Sequence, residues 1–571
     1  MNDTDQAIAE LDRDHAPEPA TANEHGQGRP VTVASALLAG VALSACGGGG
    51  GDAAGGTVVP EGVPAAPPSD GEAARFLAQA GLAASAADIA TLKTQGYAAW
   101  LDTQFSTARS QSHFDWMVAK GYAVEGNLYN FNGVDNSIWR KLISSPDPLR
   151  QRVVLALSEI FVVSMAGLPV MWRGFVAAAY LDMLEERCFG SFRTLLEGVT
   201  LSAAMGTYLN MRGNRKEEPK TGRVPDENYA REVMQLFTIG LLELNADGTP
   251  RLGADGKPID TYTQAQISEL ARVFTGWEFD NELQDDPGHA RRPMVHIASR
   301  FSTGAKKVLN VDIPATADGP TALGIALDTL ANHANVGPFI GRQLIQRLVC
   351  SNPSSAYVQR VAAAFANNGS GQRGDMKAVI RAVLLDPEAR AVQASPSGGK
   401  LREPMLRFVQ WARTVGLTSP TELWNVGNLS DPATRLGQSP LRAPSVFNFF
   451  RPGYVPPNSA LGSASITAPE FQLCNETSVA GYLNFMQNVI ANGIGELKPD
   501  YSAQLALAND AAALVAQYEL LLAANQLSAT TRTTIVNAVN SIAASSDARR
   551  LNRIQAAILL IMASPDYLVQ K

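Results

Sequence analysis

The stretch that most restricts the fold is residues 225–240, PDENYAREVMQLFTIG, because its pattern predicts one well-specified helix. Asp226 is a suitable N-cap, since its carboxylate can accept a hydrogen bond from a backbone N–H of the first turn. Glu227 adds negative charge where the helix dipole favours it, and Gly240 is typical of a helix end. Apolar residues recur at helical spacing, namely Tyr229, Val233, Leu236, Phe237 and Leu241. The segment is therefore predicted to bury one face and to leave a second, polar face.

That polar face carries Asn228, Arg231, Glu232 and Gln235 at positions i, i+3, i+4 and i+7. One interpretation is a solvated helix surface. The other is a polar network that lines a cleft, in which case Asn228, Arg231 and Glu232 are the ligand-binding candidates. Arg231 is expected to form an ion pair with Glu232 that lowers the pKa of this carboxyl. Such a pair favours structure or anion binding over general-acid chemistry.

Carboxylates are the catalytic candidates that the sequence offers. Glu232 and Glu227 lie on the helix just described, and Glu159 lies in a long apolar helix predicted over residues 149–163. Two acids that face one pocket can act as acid and base, and Glu269 is a further partner for such a pair. The alternative for Glu159 is a core acid with a buried partner.

Other chemistries lack their signatures. The sequence has no G-x-S-x-G, H-E-x-x-H or G-x-x-x-x-G-K-[ST] motif and no alternating βαβ pattern, so no cofactor is predicted. Beyond residue 45 the chain has 45 basic and 47 acidic residues. This near balance gives no electrostatic footprint for nucleic acid. No uninterrupted apolar stretch of about 18 residues follows Cys46, so the body is not predicted to span a membrane.

The N-terminus has the pattern of an export signal. Residues 31–45 are small and apolar, too short a run to cross a bilayer and typical of a signal core, although the residues before them are acidic rather than basic. The run ends in Leu43-Ser44-Ala45-Cys46, which resembles the lipobox of bacterial lipoproteins and implies that Cys46 is acylated. Gly47 stands where an inner-membrane lipoprotein usually has Asp, which implies the outer membrane. The chain is thus predicted to be lipid-anchored in a bacterial cell envelope.

Three segments follow from these patterns. Residues 1–45 are a signal or leader segment, residues 46–71 a lipid-anchored flexible linker rich in Gly, Ala and Pro, and residues 72–571 the folded body, in the periplasm or outside the cell. The body has three cysteines, and the sequence leaves open whether two of them pair or all are buried thiols: Cys188, Cys350 and Cys474.

Amphipathic helical patterns recur through the body, with a break at Gly96. Two Asp-Gly pairs predict a small β-hairpin or turn cluster near residues 244–262. A calcium loop is the alternative there, but the spacing lacks the register of an EF-hand. Residues 437–470, rich in Pro and aromatic residues, predict an ordered loop that packs on the body and could cover a cleft. The predicted fold class is all-α, a predominantly helical single large body with this one small β element.

Several of these motifs together resemble the bacterial domain-of-unknown-function 1800 family. The clearest are residues 226–232, DENYARE, then residues 262–264, YTQ, and residues 271–277, ARVFTGW. The resemblance covers nearly all of residues 72–571. It implies an exported protein without an established activity. It also implies a partner, since members are often encoded beside a second exported family that is similar to phosphatases or sulfatases.

The chain also differs from the pattern of the family that it resembles. Many members carry His at positions that this chain fills with Ser158, Ile160, Phe237 and Phe301. Four His remain beyond the leader, and none pairs with another at i+3 or i+4: His113, His289, His296 and His333. No metal site is therefore predicted.

The preferred function is non-catalytic: an envelope lipoprotein that binds or presents an exported protein or polymer. Such a protein needs an exposed groove near residues 437–470, and Glu232→Gln should change its binding little. The alternative is a carboxylate-dependent hydrolase of an envelope or extracellular substrate, which needs two acids at one pocket and loses turnover on that change. A third interpretation is a purely structural surface protein.

Overall fold

Helices make up most of the folded chain. The computed structural model describes residues 67–392, 395 and 398–571, and their contacts place Ala66–Lys571 in one unit. The predicted, predominantly helical fold class is confirmed. The described part contains these α-helices: α1 Asp70–Ala80, α2 Ala86–Ser106, α3 His113–Ala119, α4 Val134–Ser144, α5 Pro148–Ser158, α6 Arg173–Arg187, α7 Phe192–Leu201, α8 Ala203–Tyr208, α9 Asn228–Gln235, α10 Gln264–Val273, α11 Gly319–Asn332, α12 Val336–Leu348, α13 Ser355–Ala366, α14 Met376–Leu385, α15 Pro387–Arg390, α16 Pro404–Thr414, α17 Ala460–Ser463, α18 Glu476–Asn492, α19 Ala511–Ala523, α20 Ala529–Asn540, α21 Asp547–Ala563 and α22 Pro565–Leu568.

Short polar side chains fix where many of these helices begin. Before α1, the Ser69 hydroxyl accepts the backbone N–H of Glu72, and the Glu72 carboxylate accepts the backbone N–H of Ser69 at 2.8 Å. Such a capping box satisfies two backbone donors that the helix itself leaves free. Inside α2, Gly96 has a φ of 79° and kinks the helix, which confirms the predicted break.

Helix α9 is shorter than the sequence pattern predicts. It begins at Asn228 with Glu227 as the N-cap, while the Asp226 carboxylate accepts the Asn228 N–H at 2.8 Å. The helix ends at Gln235 instead of near Gly240, because the Thr238 hydroxyl donates to the Val233 carbonyl that a continuing helix would use. Gly240, with a φ of 72°, then turns the chain away.

Helix α5 also ends earlier than its apolar pattern predicts. The pattern continues to residue 163, but the last helical residue is Ser158 and Glu159 is the C-cap. Backbone N–H groups of Glu159 and Ile160 make tighter i−3 bonds to Ala156 and Leu157, the usual geometry of a closing turn. Glu159 is therefore at a helix terminus and not in the middle of a helix.

The β-structure consists of short antiparallel pairs. Strand β1 (Trp277–Glu278) pairs with β2 (Val295–His296), β3 (Lys306–Val308) with β4 (Val311–Ile313), and β5 (Lys400–Leu401) with β6 (Val569–Gln570).

Near residues 244–262 the chain forms the predicted turn cluster, with isolated bridges such as Leu244 to Pro250. There Asp247 accepts the N–H and hydroxyl of Thr249, and Asp255 accepts the N–H of Lys257. Each carboxylate thus stabilises its own turn, which favours turns over the calcium loop.

One hydrophobic core runs from Ala73 to Tyr567. Helix α12 packs against α13 and α14, and α5 contacts α2, α6 and α12. The 437–470 segment is anchored by Leu441 and Phe450, both buried, which confirms that it is an ordered loop on the body. A small second cluster supports it, made of Val162, Ala443, Phe449 and Phe450.

The state of the cysteines and the apolar length of the helices can be given for the described residues. Cys188 and Cys350 are buried, Cys474 is exposed, and all three are free thiols. No described helix is both long enough and apolar enough to cross a bilayer. Cys46 and the lipobox, the leader and most of the linker lie outside the described residues.

Candidate functional site

A cavity of about 430 Å³ opens where the ends of α5 and α9 meet α12 and the chain at 446–453. Its walls are mainly apolar, and the volume lies within the range of small-molecule sites, about 300–1,000 Å³. At its mouth, Leu241 is 56% exposed and Phe447 is 37% exposed. Large apolar side chains at an open rim are typical of a surface that contacts another molecule.

Arginines supply most of the charge on the cavity wall. Three arginines line it, Arg342, Arg347 and Arg451, against one acidic residue among those described, Glu159. Arg342 donates to the Gly248 carbonyl at 3.1 Å, and Arg451 lies over the Phe447 ring at 5.4 Å. The wall therefore carries an excess of positive charge.

Arg347 is 1% exposed, so its guanidinium contacts protein groups rather than solvent. Its Nε lies 3.1 Å from Glu159 Oε2, and its guanidinium lies 4.8 Å from the centre of the Phe450 ring. Nη2 donates to the Glu159 carbonyl at 3.3 Å. Nη1 is buried and has no hydrogen-bond partner among the described residues. A buried, unpaired donor of this kind is costly.

Behind the wall, the buried carboxyls of Glu159 and Glu403 shift each other's pKa in opposite directions. Burial and the negative charge of Glu403 raise the pKa of Glu159 well above its ordinary value. Burial alone would raise the pKa of Glu403 as well, but Lys400 and the hydrogen bond from Glu159 bring it to about 2. Lys400 lies 3.1 Å from both Glu403 and Glu470. The result is a buried network of fixed geometry beneath the cavity.

The polar face of α9 is divided between two neighbours. The Glu227 carboxylate accepts hydrogen bonds from Gln264 Nε2 at 2.7 Å and from Ser268 Oγ at 2.5 Å. Arg231 lies 3.3 Å from Glu227 and donates to Gln264 at 3.1 Å. These half-exposed groups clamp α9 to α10.

The expected pair of Arg231 with Glu232 is wrong. Positions i and i+4 share a helix face, whereas adjacent positions do not, so Arg231 pairs with Glu227. Glu232 instead turns inward, where its Oε2 is buried and has no hydrogen-bond partner among the described residues. Burial raises the pKa of Glu232 to about 7 and outweighs the opposing charge of Arg231.

Glu232 also has phenols in its surroundings. Burial, and then the charge of Glu232, raise the pKa of Tyr208 to about 12. The pKa of Tyr262 is likewise raised to about 12, mainly by burial. The Tyr262 hydroxyl is buried and unpartnered among the described residues. Glu232 is thus a carboxyl in a low-polarity environment, poised to be neutral below pH 7.

The predicted candidates do not converge on one site. Glu159 lines the cavity and α9 supplies Gln235 and Leu236 to it, whereas Asn228, Arg231 and Glu232 do not line it. His333 is the C-cap of α11, and its Nδ1 accepts the backbone N–H of Asn335 at 3.2 Å.

The four positions at which the family resemblance implies His in many members are part of the packed structure here. Ser158 and Ile160 are buried. Phe237 packs edge-on against Phe161 with ring centres 5.5 Å apart, and Lys306 lies 4.4 Å from the Phe301 ring centre.

One cluster has the composition of a metal site. Ligand atoms of His113, Asp182 and Glu185 lie within 4.8 Å of one another. However, Glu185 already pairs with the Lys141 ammonium and with His113, and Asp182 accepts two backbone N–H groups. Because the Lys141 ammonium and His113 already pair with Glu185, this cluster is best described as a buried ion-pair network.

Three residues of this network are not singled out by the sequence patterns, namely Arg347, Lys400 and Glu403. A signal was present for Arg347, because Gln343, Gln346 and Arg347 interrupt the apolar run of α12, and all three are buried. Polar residues in an otherwise apolar helix are the usual mark of a buried network. Arg347 meets Glu159, 188 residues away, so the sequence does not show which residue it pairs with.

Fold and site together define a large all-α protein with an apolar cavity open to solvent. The chain belongs to the family described as Protein of unknown function (DUF1800), whose sequence profile matches residues 75–569. Comparisons with curated proteins and with solved structures gave no match.

Proposed function

We propose that this chain is a lipid-tethered binding protein of the bacterial cell envelope, and that it takes up an apolar ligand in the cavity beside α9 and α12. The observation that carries the proposal is the open, apolar-walled cavity with Leu241 and Phe447 exposed at its mouth. An apolar pocket with a few convergent polar groups is the usual form of a ligand site.

The lining favours binding over catalysis. Among the described residues, Glu159 is the one acid that lines this cavity, and it is already engaged with Arg347 and Glu403. Acid–base catalysis requires a second group within reach of the same substrate. The aromatic segment supplies Val446, Phe447 and Arg451 to one wall, the place where a binding groove is expected from the sequence.

The binding proposal is tested with N-phenyl-1-naphthylamine, an uncharged apolar dye whose fluorescence increases in apolar sites. We expect saturable binding to the folded protein. Leu241→Asp should weaken it at least severalfold, because the change places a charge at the mouth. Leu252→Asp is the matched control, since Leu252 is 61% exposed and does not line the cavity. Equal binding by both variants would exclude this cavity.

The tether is proposed from the lipobox at residues 43–46 and the Gly- and Pro-rich residues after it. The family resemblance supports an exported phosphatase- or sulfatase-like protein as a partner, and a polymer is the alternative binding partner. Cys46→Ala should move the protein from the membrane fraction to the soluble fraction of the producing cells. Unchanged membrane association would contradict the lipid anchor.

A second candidate function is a carboxylate-dependent hydrolase. The observation that favours it is Glu232, a buried carboxyl whose pKa is raised to about 7, the range suited to general acid–base chemistry. On this hypothesis Glu232→Gln abolishes hydrolysis of the substrate and leaves dye binding unchanged. A binding protein shows no turnover to lose.

A further inference from the structure

The charges of the cavity specify more than an apolar ligand. Arg342, Arg347 and Arg451 face a single carboxyl, Glu159. Glu159 Oε2 lies 3.1 Å from Arg347 Nε, so this carboxyl is turned towards one arginine. Arg342 donates to the Gly248 carbonyl and has Asp247 nearby, which leaves the exposed Arg451 as the arginine of the wall without an ion pair among the described residues. Guanidinium groups favour carboxylate-type anions, to which they donate strong, charge-assisted hydrogen bonds.

Arg347 adds a cation directly behind the wall. Its Nη2 donates to the Glu159 carbonyl, while its Nε and Nη1 are buried and without a hydrogen-bond partner among the described residues. Glu159 Oε1 is a buried acceptor that also lacks a partner there, so it is the positive charge of the wall, rather than this donor, that favours an anion.

The remaining walls require an apolar body. Ile160, Leu236 and Phe339 form the interior surface, and Leu241 and Phe447 continue it to the solvent-exposed mouth. A ligand that is charged throughout would leave these side chains without contacts. A ligand that is apolar throughout would leave the arginines desolvated and unpaired, which is costly.

We propose that the cavity binds a small amphipathic carboxylate, an aliphatic acid of the fatty-acid class, with its carboxylate at the arginines and its chain along the apolar wall. This inference rests on the proposed binding function and names its ligand class. The anionic head pairs with Arg342, Arg347 or Arg451, and the exposed rim accommodates chains longer than the cavity.

The test compares two ligands with the same chain, decanoate and decan-1-ol, as competitors of N-phenyl-1-naphthylamine at pH 7. Decanoate should displace the dye at a concentration at least roughly tenfold lower, as expected for one charge-assisted hydrogen bond gained. Arg451→Gln and Arg342→Met should reduce this preference while the uncharged dye still binds.

The control is Arg435→Gln. Like Arg451, Arg435 is exposed and lies over an aromatic ring, 5.8 Å from the centre of Phe485, but it does not line the cavity. This variant should keep the full preference for decanoate.

The two levels of the proposal fail in different ways. If the dye binds and both competitors displace it equally, or neither does, the carboxylate inference is overturned and the binding function stands. If Arg435→Gln lowers the preference as much as Arg451→Gln does, the effect is one of general charge and the inference is also overturned. If the dye does not bind, the proposed function fails as well.

Discussion

At Glu232, burial outweighs a neighbouring arginine. Arg231 is adjacent in sequence, but its guanidinium is bound to Glu227 and Gln264 on the outer side of the helix. Glu232 is left with a buried oxygen that has no hydrogen-bond partner among the described residues. The pKa of Glu232 is raised because its position on the helix turns the carboxyl inward. Its adjacency to Arg231 in the sequence predicts a lowered pKa instead.

This arrangement predicts that Glu232 lowers stability at neutral and alkaline pH. Its pKa is about 7 in the folded protein, raised from 4.5, so the folded state holds more protons than the unfolded state between these values. The free energy of unfolding therefore decreases as the pH rises from about 4.5 to about 7. Glu232→Gln should remove that decrease and stabilise the protein at pH 8 by roughly 2–3 kcal/mol, with little effect at pH 4.

Urea unfolding of both proteins at pH 4 and pH 8 measures this effect. Glu227→Gln is the control, because the Glu227 carboxylate accepts hydrogen bonds from Arg231, Gln264 and Ser268. That variant should lose stability at pH 8, the opposite sign. A loss of stability at pH 8 in Glu232→Gln would mean that Glu232 has a partner in solution.

At the scale of elements, the end of α9 forms one edge of the cavity. Gly240 has a φ of 72°, a conformation that L residues with a side chain rarely adopt. A Cβ placed on Gly240 would also lie 2.9 Å from Cε2 of Phe339, which lines the cavity. Gly240 thus lets the chain turn and lets Phe339 approach.

Gly240→Ala should therefore cost more than backbone strain alone. Gly256→Ala separates the two effects, because Gly256 has a similar φ of 77° and a Cβ placed on it would meet no atom within 4 Å. We expect about 1–2 kcal/mol for Gly256→Ala and a larger loss for Gly240→Ala, together with weaker dye binding in the latter only. Chemical unfolding and dye titration measure both. Equal losses would show that Phe339 moves aside freely.

The elements also show what a sequence can and cannot predict. A helix start depends on residues that are close in sequence, so the capping box of Ser69 and Glu72 can be recognised from the sequence. The break at Gly96 depends on a single residue and can be recognised in the same way. Helix ends are less so: α9 stops because the Thr238 hydroxyl takes the Val233 carbonyl, a choice that the apolar periodicity does not encode. The cavity is the least predictable part, since Glu159, Leu241, Arg347 and Phe447 are brought together only by the tertiary fold.

At the scale of the whole molecule, the C-terminus closes the structure that supports the site. Strand β6 pairs with β5, so that Lys400 lies opposite Gln570, and Gln570 donates to the Leu348 carbonyl at the end of α12 at 3.2 Å. Tyr567 is fully buried, and its hydroxyl donates to Gln410 at 3.0 Å. Lys400 in turn binds Glu403 and Glu470 beneath the cavity.

Deletion of residues 567–571 should consequently affect the distant cavity as well as the C-terminus. Loss of a buried aromatic side chain costs about 3–5 kcal/mol, and loss of β6 leaves the Lys400 strand without its partner. We expect one calorimetric unfolding transition at a lower temperature, together with loss of dye binding. Tyr567→Phe, which loses only the bond to Gln410, should cost about 1 kcal/mol and keep dye binding. A single core runs from Ala73 to Tyr567, so the deletion should lower the melting temperature and the dye affinity together. A deletion that lowers the melting temperature and leaves the dye affinity unchanged would show that the network around Lys400 does not support the cavity.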